Sequence, residues 1–269
     1  MQEKTAAAVG KTITLYELVC QQRLALGPLA TTGGQIHLIT DAQAVTVTKA
    51  LYAAAKAIEP KLASIGLTLD NFLPLLYAWV RGESGFDPGC INPNNDKAKS
   101  GESAYDAFMH TDWGLAQVNG NILNGLLPDY PWEQQKDTAL DPDWASVQMV
   151  ATIVNVLTWG MLEWATFSSK GVSFPPIITK YTLGSEAYNK GKSGALARAI
   201  KTSGTDEFEV HDGSLIVASE ASTADRAETA ALAATAMLQS GTYLMYGQTV
   251  TSRWREYQEL LGPTPVLGC

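Results

Sequence analysis

Soft metal ligands are scarce in this chain of 269 residues: three cysteines and three histidines, His37, His110 and His211. Cys20, Cys90 and Cys269 form no Cys-x-x-Cys pair, and the histidines have no paired metal spacing. A structural zinc site is therefore not expected, nor is a zinc amidase or peptidase, and no cofactor is implied. An odd count allows one disulfide with a thiol left over, and the sequence does not choose the pair. Basic runs are missing too. Lysine and arginine number 19 against 27 acidic residues, a net charge of −8, which argues against nucleic acid or an anionic membrane surface as the main partner.

Other absences narrow the class further. The first twenty residues lack a basic region followed by a continuous apolar core, so no ordinary signal peptide is read there. There is no internal repeat and no low-complexity linker. Residues 89–110 are rich in asparagine, aspartate, lysine, serine and glycine but lack the spacing of an EF-hand, so they read as a solvated loop. Residues 144–167 are the most apolar stretch and about long enough for a bilayer. Gln148, Thr152, Asn155, Thr158 and Glu163 interrupt it, which favours a buried helix over a membrane span.

What is present is 46% hydrophobic and 17% charged, the composition of a soluble globular protein with a sizeable core. Helical periodicity dominates. Short helices are expected over 12–26 and 253–261, and a longer one from Asp41, its candidate N-cap, to a break near Pro60. Residues 35–40 read as a short extended segment. Prolines 128, 131 and 142 punctuate a linker. Helices are expected again over 177–188, 195–201 and 221–238, with a hairpin over 208–217 turning at Asp212-Gly213. The fold class is mainly α: one helical domain with at most a small β-hairpin, its catalytic part over 46–200, and appended segments 1–45 and 201–269, the latter packed on the same domain.

The chain is organised around residues 69–88. Leu69, Phe72, Leu73, Leu76, Trp79 and Val80 recur at helical spacing, with Asp70 a candidate cap, and Gly85 and Pro88 supply the stop. Glu83 falls in the last turn, at the negative end of the helix dipole. A carboxylate is disfavoured there, so its pKa is expected above the ordinary glutamate value, as a general acid requires.

Three short motifs follow one another in order. Glu83-Ser84-Gly85-Phe86-Asp87-Pro88 is the first, Gly114-Leu115-Ala116-Gln117-Val118-Asn119 the second, and Ala187-Tyr188-Asn189-Lys190-Gly191 the third. Together they resemble the lytic transglycosylases of the lysozyme-like superfamily, whose motifs are a Glu-Ser pair followed by an apolar residue and proline, a Gly-Leu-Met-Gln run, and Ala-Tyr-Asn-Ala-Gly. Ala116 stands where methionine is usual, and Lys190 where a small residue is. The resemblance covers about residues 70–200. Thr111-Asp112-Trp113-Gly114 also resembles the stretch of chicken-type lysozymes that holds their second catalytic carboxylate. Glu83 and Asp112 are 29 positions apart, longer than is usual in either group, and residues 89–110 absorb the excess.

The resemblance implies cleavage of the β-1,4 bond between N-acetylmuramic acid and N-acetylglucosamine in peptidoglycan glycan strands, with Glu83 as acid and then base. Asp112 is the candidate second carboxylate of a hydrolase, the alternative outcome. Ser84, Trp113, Gly114, Gln117, Tyr188 and Asn189 are the implied substrate-binding residues: Gln117 and Asn189 through their amides, Tyr188 by holding Glu83 or an acetamido group, Ser84 by anchoring the helix end. Trp79 could line the groove or fill the core. A further alternative is an inactive peptidoglycan-binding virion protein. Action in the periplasm or cell wall without a signal peptide implies a phage lysin, a virion enzyme, or a partner in a virion or secretion machine.

Overall fold

The computed structural model describes residues 12–24, 37–93, 102–169 and 243–269. The expected helices over 177–188, 195–201 and 221–238, the hairpin over 208–217, and the third motif with Tyr188 and Asn189 lie outside these residues. Within them the chain is mainly helical with one small sheet. The helices are α1 (Leu15–Leu24), α2 (Asp41–Ala57), α3 (Glu59–Leu62), α4 (Leu69–Glu83), α5 (Ala104–Met109), α6 (Gly120–Leu126), α7 (Trp132–Ala139), α8 (Pro142–Ser169) and α9 (Tyr243–Leu261). Three strands, β1 (Ile91–Pro93), β2 (Thr111–Trp113) and β3 (Val118–Asn119), form an antiparallel sheet in the order β1-β2-β3.

Helix α4 is the hub. Every residue from Phe72 to Val80 is buried, because α4 is enclosed by α9, α2 and α8. A helix that is apolar on nearly all sides is stable only in such an enclosure. Pro74 lies inside α4 and offers no N–H to the Asp70 carbonyl, which tertiary packing tolerates. Tyr77 is fully buried, and its hydroxyl donates to the Thr48 carbonyl of α2 at 2.9 Å.

The described terminal segments belong to the same core. Leu15, Leu18 and Val19 of α1 and Trp254, Tyr257 and Leu261 of α9 join the apolar cluster built on α4. Backbone bonds from Ile13 N–H to Leu260 O (2.9 Å) and Leu15 N–H to Val266 O (2.8 Å) clasp the two ends together. Helix α2 begins at Asp41, so a boundary at residue 45 would cut through it. No helix among the described residues is long and apolar enough to cross a membrane; α8 is instead buried through Ala145, Met149, Ile153 and Leu157.

Several local expectations are corrected. Thr40, not Asp41, caps α2, in a reciprocal box with Gln43, and Thr68, not Asp70, caps α4. Residues 89–110 are not simply a loop, since β1 and α5 lie within them. The proline-punctuated linker contains α7, docked through Gln135 and Ala139. Gln135 holds the preceding turn by donating to the carbonyls of Tyr130 (2.8 Å) and Leu127 (3.0 Å). All three cysteines are free thiols, so no disulfide forms.

Candidate active site

The end of α4 is shaped by a left-handed turn. Ser84 closes the helix, its N–H and its buried hydroxyl both directed at the Val80 carbonyl (3.0 and 3.3 Å). Gly85 and Phe86 then follow with φ of 61° and 68°. Glycine takes this conformation freely, but for Phe86 it costs of order 1–3 kcal/mol and persists only if its surroundings impose it. They do so here: Phe86 is fully buried, with its ring 6.0 Å from that of Tyr77. Glu83 is thus the last helical residue before a rigid reversal, and it is half-buried.

Asp87 locks the far side of the turn. Its buried carboxylate accepts from the N–H groups of His37 (2.6 Å) and Gly89 (2.8 Å) and meets His37 Nδ1 at 3.1 Å. The segment before α2 is thereby tied to the end of α4 across 50 positions of sequence. The chain next runs through Cys90 into β1, where Asn92 pairs with Asp112 of β2. Gly114 N–H donates to the Cys90 carbonyl at 2.8 Å and continues that ladder.

Cys90 is the common neighbour of the acids. Burial first, and then the carboxylates of Asp87, Glu83 and Asp112, together push its thiol up to about 12. Negative charges near a thiol oppose a thiolate, which is the direction of this effect. The two acids, 29 positions apart in sequence, lie on segments that β1 and β2 join: Cys90 follows Glu83 by seven residues, and its carbonyl accepts from Gly114, two residues past Asp112. Asp112 is half-buried, and Asn119 of β3, paired opposite it, donates from Nδ2 to Asp112 Oδ1 at 2.9 Å. The Asn119 oxygen accepts in turn from Asn121, whose amide also donates to the Met109 carbonyl (2.7 Å). This amide relay fixes the Asp112 carboxylate in orientation.

The remaining candidates brace the turn between β2 and β3. Gln117 has φ of 47° and donates from Nε2 to the carbonyls of Gly114 (2.8 Å) and Cys90 (3.4 Å). Its side chain also hydrogen-bonds to the Cys90 thiol. Gly114, with φ of 71°, lets this turn lie against the end of α7. Trp113, one of the implied substrate-binding residues, is buried in a second small core with Phe108, Leu123 and Ala139, and its Nε1 donates to Phe108 O at 3.2 Å. Trp79 is buried in the main core. Ser84 is fully buried, so it acts on the helix end rather than on a ligand directly.

Sequence reasoning missed Cys90, His37 and Asn119. For Asn119 a hint existed, since a seven-residue step across a short hairpin sets it opposite Asp112. For Cys90 and His37 there was none, because tertiary contacts alone bring them to the site. Among the described residues, no group of three or more histidine, cysteine, aspartate or glutamate side chains could hold a metal ion. No protein-family model, curated protein or solved structure matches this chain.

Proposed function

We propose that the chain is a peptidoglycan lytic transglycosylase, which cleaves the β-1,4 bond between N-acetylmuramic acid and N-acetylglucosamine in the cell wall. The observation that carries this reading is the mounting of Glu83, half-buried as the last residue of a buried helix and followed at once by a strained turn at Gly85 and Phe86. Such a mounting fixes one carboxyl group in place, which proton transfer to a glycosidic oxygen requires. Glu83 protonates the leaving oxygen as the bond breaks through an oxocarbenium-like state. As a carboxylate it then removes the proton from the muramic C6 hydroxyl. That oxygen bonds to the anomeric carbon, giving a 1,6-anhydro product with no water consumed.

A second reading, a muramidase, is favoured by one observation: Asp112 is oriented by Asn119 and stands on a strand paired with the segment that follows Glu83. There Asp112 would attack the anomeric carbon or stabilise its cation, and water would complete the hydrolysis. Lysis of purified cell walls tests both. Glu83→Gln should lose on the order of a hundredfold or more in rate while unfolding like the wild type. Asp112→Asn should lose only part of the activity in a transglycosylase, and nearly as much as Glu83→Gln in a muramidase. Wild-type-like lysis by folded Glu83→Gln would overturn both readings, and a wild type without lytic activity would favour a virion protein that only binds the wall.

A further inference from the structure

The turn that follows Glu83 is braced from outside by a histidine. Two reverse turns run on from the end of α4: Asp87 N–H donates to the Ser84 carbonyl (3.0 Å) and Cys90 N–H to the Asp87 carbonyl (3.2 Å). Asp87 belongs to both, so its side chain holds the centre of the reversal. Its carboxylate is 2% exposed and meets the Gly89 N–H, the His37 N–H and the His37 imidazole. A carboxylate that accepts backbone N–H bonds on both oxygens has no hydrogen to give. His37 Nδ1 is therefore the donor across the 3.1 Å contact with Asp87 Oδ2. A Cβ built at Gly89 would stand 3.3 Å from Asp87 Oδ1 and 3.9 Å from His37 Nδ1, so backbone, carboxylate and ring are packed on one another.

His37 stands on an anchored segment. Two residues further on, Ile39 is buried, and its carbonyl accepts from Nη1 of Arg23 in α1 at 2.8 Å. Arg23 also pairs with Asp41, and Thr40 closes the capping box of α2. The imidazole itself is 64% exposed, and the His37 backbone N–H already ties the segment to Asp87. An exposed ring gains little from burial. What it adds is one more hydrogen bond to a buried charge, roughly twice as strong as a bond between neutral groups. We infer, on the reading of Glu83 as the acid, that His37 is a positioning residue: by donating from Nδ1 to Asp87 it fixes the turn that sets where the Glu83 carboxyl stands. A reacting group misplaced by about 1 Å can lose on the order of a hundredfold in rate, so this brace acts on the chemical step rather than on binding.

Steady-state lysis of soluble peptidoglycan strands by three variants of the full chain tests it, with circular dichroism reporting that each is folded. His37→Ala should lower kcat by roughly ten- to a hundredfold, with KM within about twofold of the wild type. His37→Asn, whose amide nitrogen stands where Nδ1 does, should restore most of kcat. His37→Gln, whose amide reaches toward the place of Nε2, should stay near the alanine level, and it decides the matter if His37→Ala does not fold. Hydrogen exchange gives a reading without substrate. The Asp87 and Gly89 amides should exchange several-fold faster in His37→Ala and return to the wild-type rate in His37→Asn. Wild-type kcat in His37→Ala, rescue by His37→Gln rather than His37→Asn, or unchanged exchange would overturn the role of His37. A raised KM in both His37→Ala and His37→Asn would overturn it too, because the ring would then touch the glycan itself. Full lysis by folded Glu83→Gln, or a wild type without lytic activity, would instead remove the reading of Glu83, and the exchange rates would then decide the brace alone.

Discussion

Replacing Gly114 with alanine should damage the β2–β3 turn more than its size suggests. A Cβ built at Gly114 would lie 2.0 Å from the Ala139 carbonyl oxygen and 2.9 Å from its carbon, where real Cβ contacts essentially never fall below 3.0 Å. The turn or the end of α7 must then give way by about 1 Å, and both are backbone, without a rotamer to move. The φ of 71° adds a further cost of about 1–2 kcal/mol for any residue with a Cβ. Overpacking of this kind typically costs 1–3 kcal/mol, so the expected loss is about 2–5 kcal/mol. Urea unfolding followed by circular dichroism measures it. Gly125→Ala is the control: nothing lies within 4 Å of a Cβ there, and in helix α6 the change should stabilise by roughly 0.5–1 kcal/mol. Because Gly114 carries the ladder from Cys90 beside Asp112, cell-wall lysis should fall along with stability. A Gly114→Ala protein within about 0.5 kcal/mol of the wild type would refute this account of the turn.

Three further outcomes follow from the same geometry. The Cys90 thiol is stabilised in its protonated form, so its contribution to stability is complete below the ordinary thiol value and lost as pH rises toward about 12; urea midpoints measured from pH 8 upward should fall more steeply in the wild type than in Cys90→Ala. Asp87→Asn replaces an all-acceptor group facing two N–H donors with one that must turn an NH2 toward one of them or leave it unmet, and should cost about 1–3 kcal/mol in thermal unfolding. Trp254→Ala empties a fully enclosed site between α9 and the core and should cost about 3–5 kcal/mol, which calorimetry of the full chain would register.

What the sequence made legible was whatever rests on periodicity and stop signals. Helix α4 ends at Glu83 as its apolar spacing and Gly85 require, and the mainly helical class follows from the long apolar runs. Caps were misplaced by one or two residues because threonine and aspartate compete for the same position, and Gln43 opposite Thr40 was the better guide. Strands of two and three residues show no alternation to read, so the sheet could not be seen in Ile91–Pro93, Thr111–Trp113 and Val118–Asn119. Helix α7, WEQQKDTA, is polar on most sides and is held by the Gln135 amide rather than by an apolar stripe. The pairing that brings Asp112 beside the segment following Glu83 was invisible for a related reason: it joins β1 and β2, residues about twenty positions apart in sequence.

The nucleophile that follows proton donation by Glu83 distinguishes this account from its nearest rival, and the mass of the product reports it. Purified peptidoglycan digested by the wild type should release muropeptides ending in 1,6-anhydromuramic acid, each lighter by one water than a hydrolysis product, and Glu83→Gln should release none. Reducing-end muropeptides from the wild type, together with an inactive Asp112→Asn, would contradict the transglycosylase reading and make Asp112 the second catalytic carboxylate of a hydrolase.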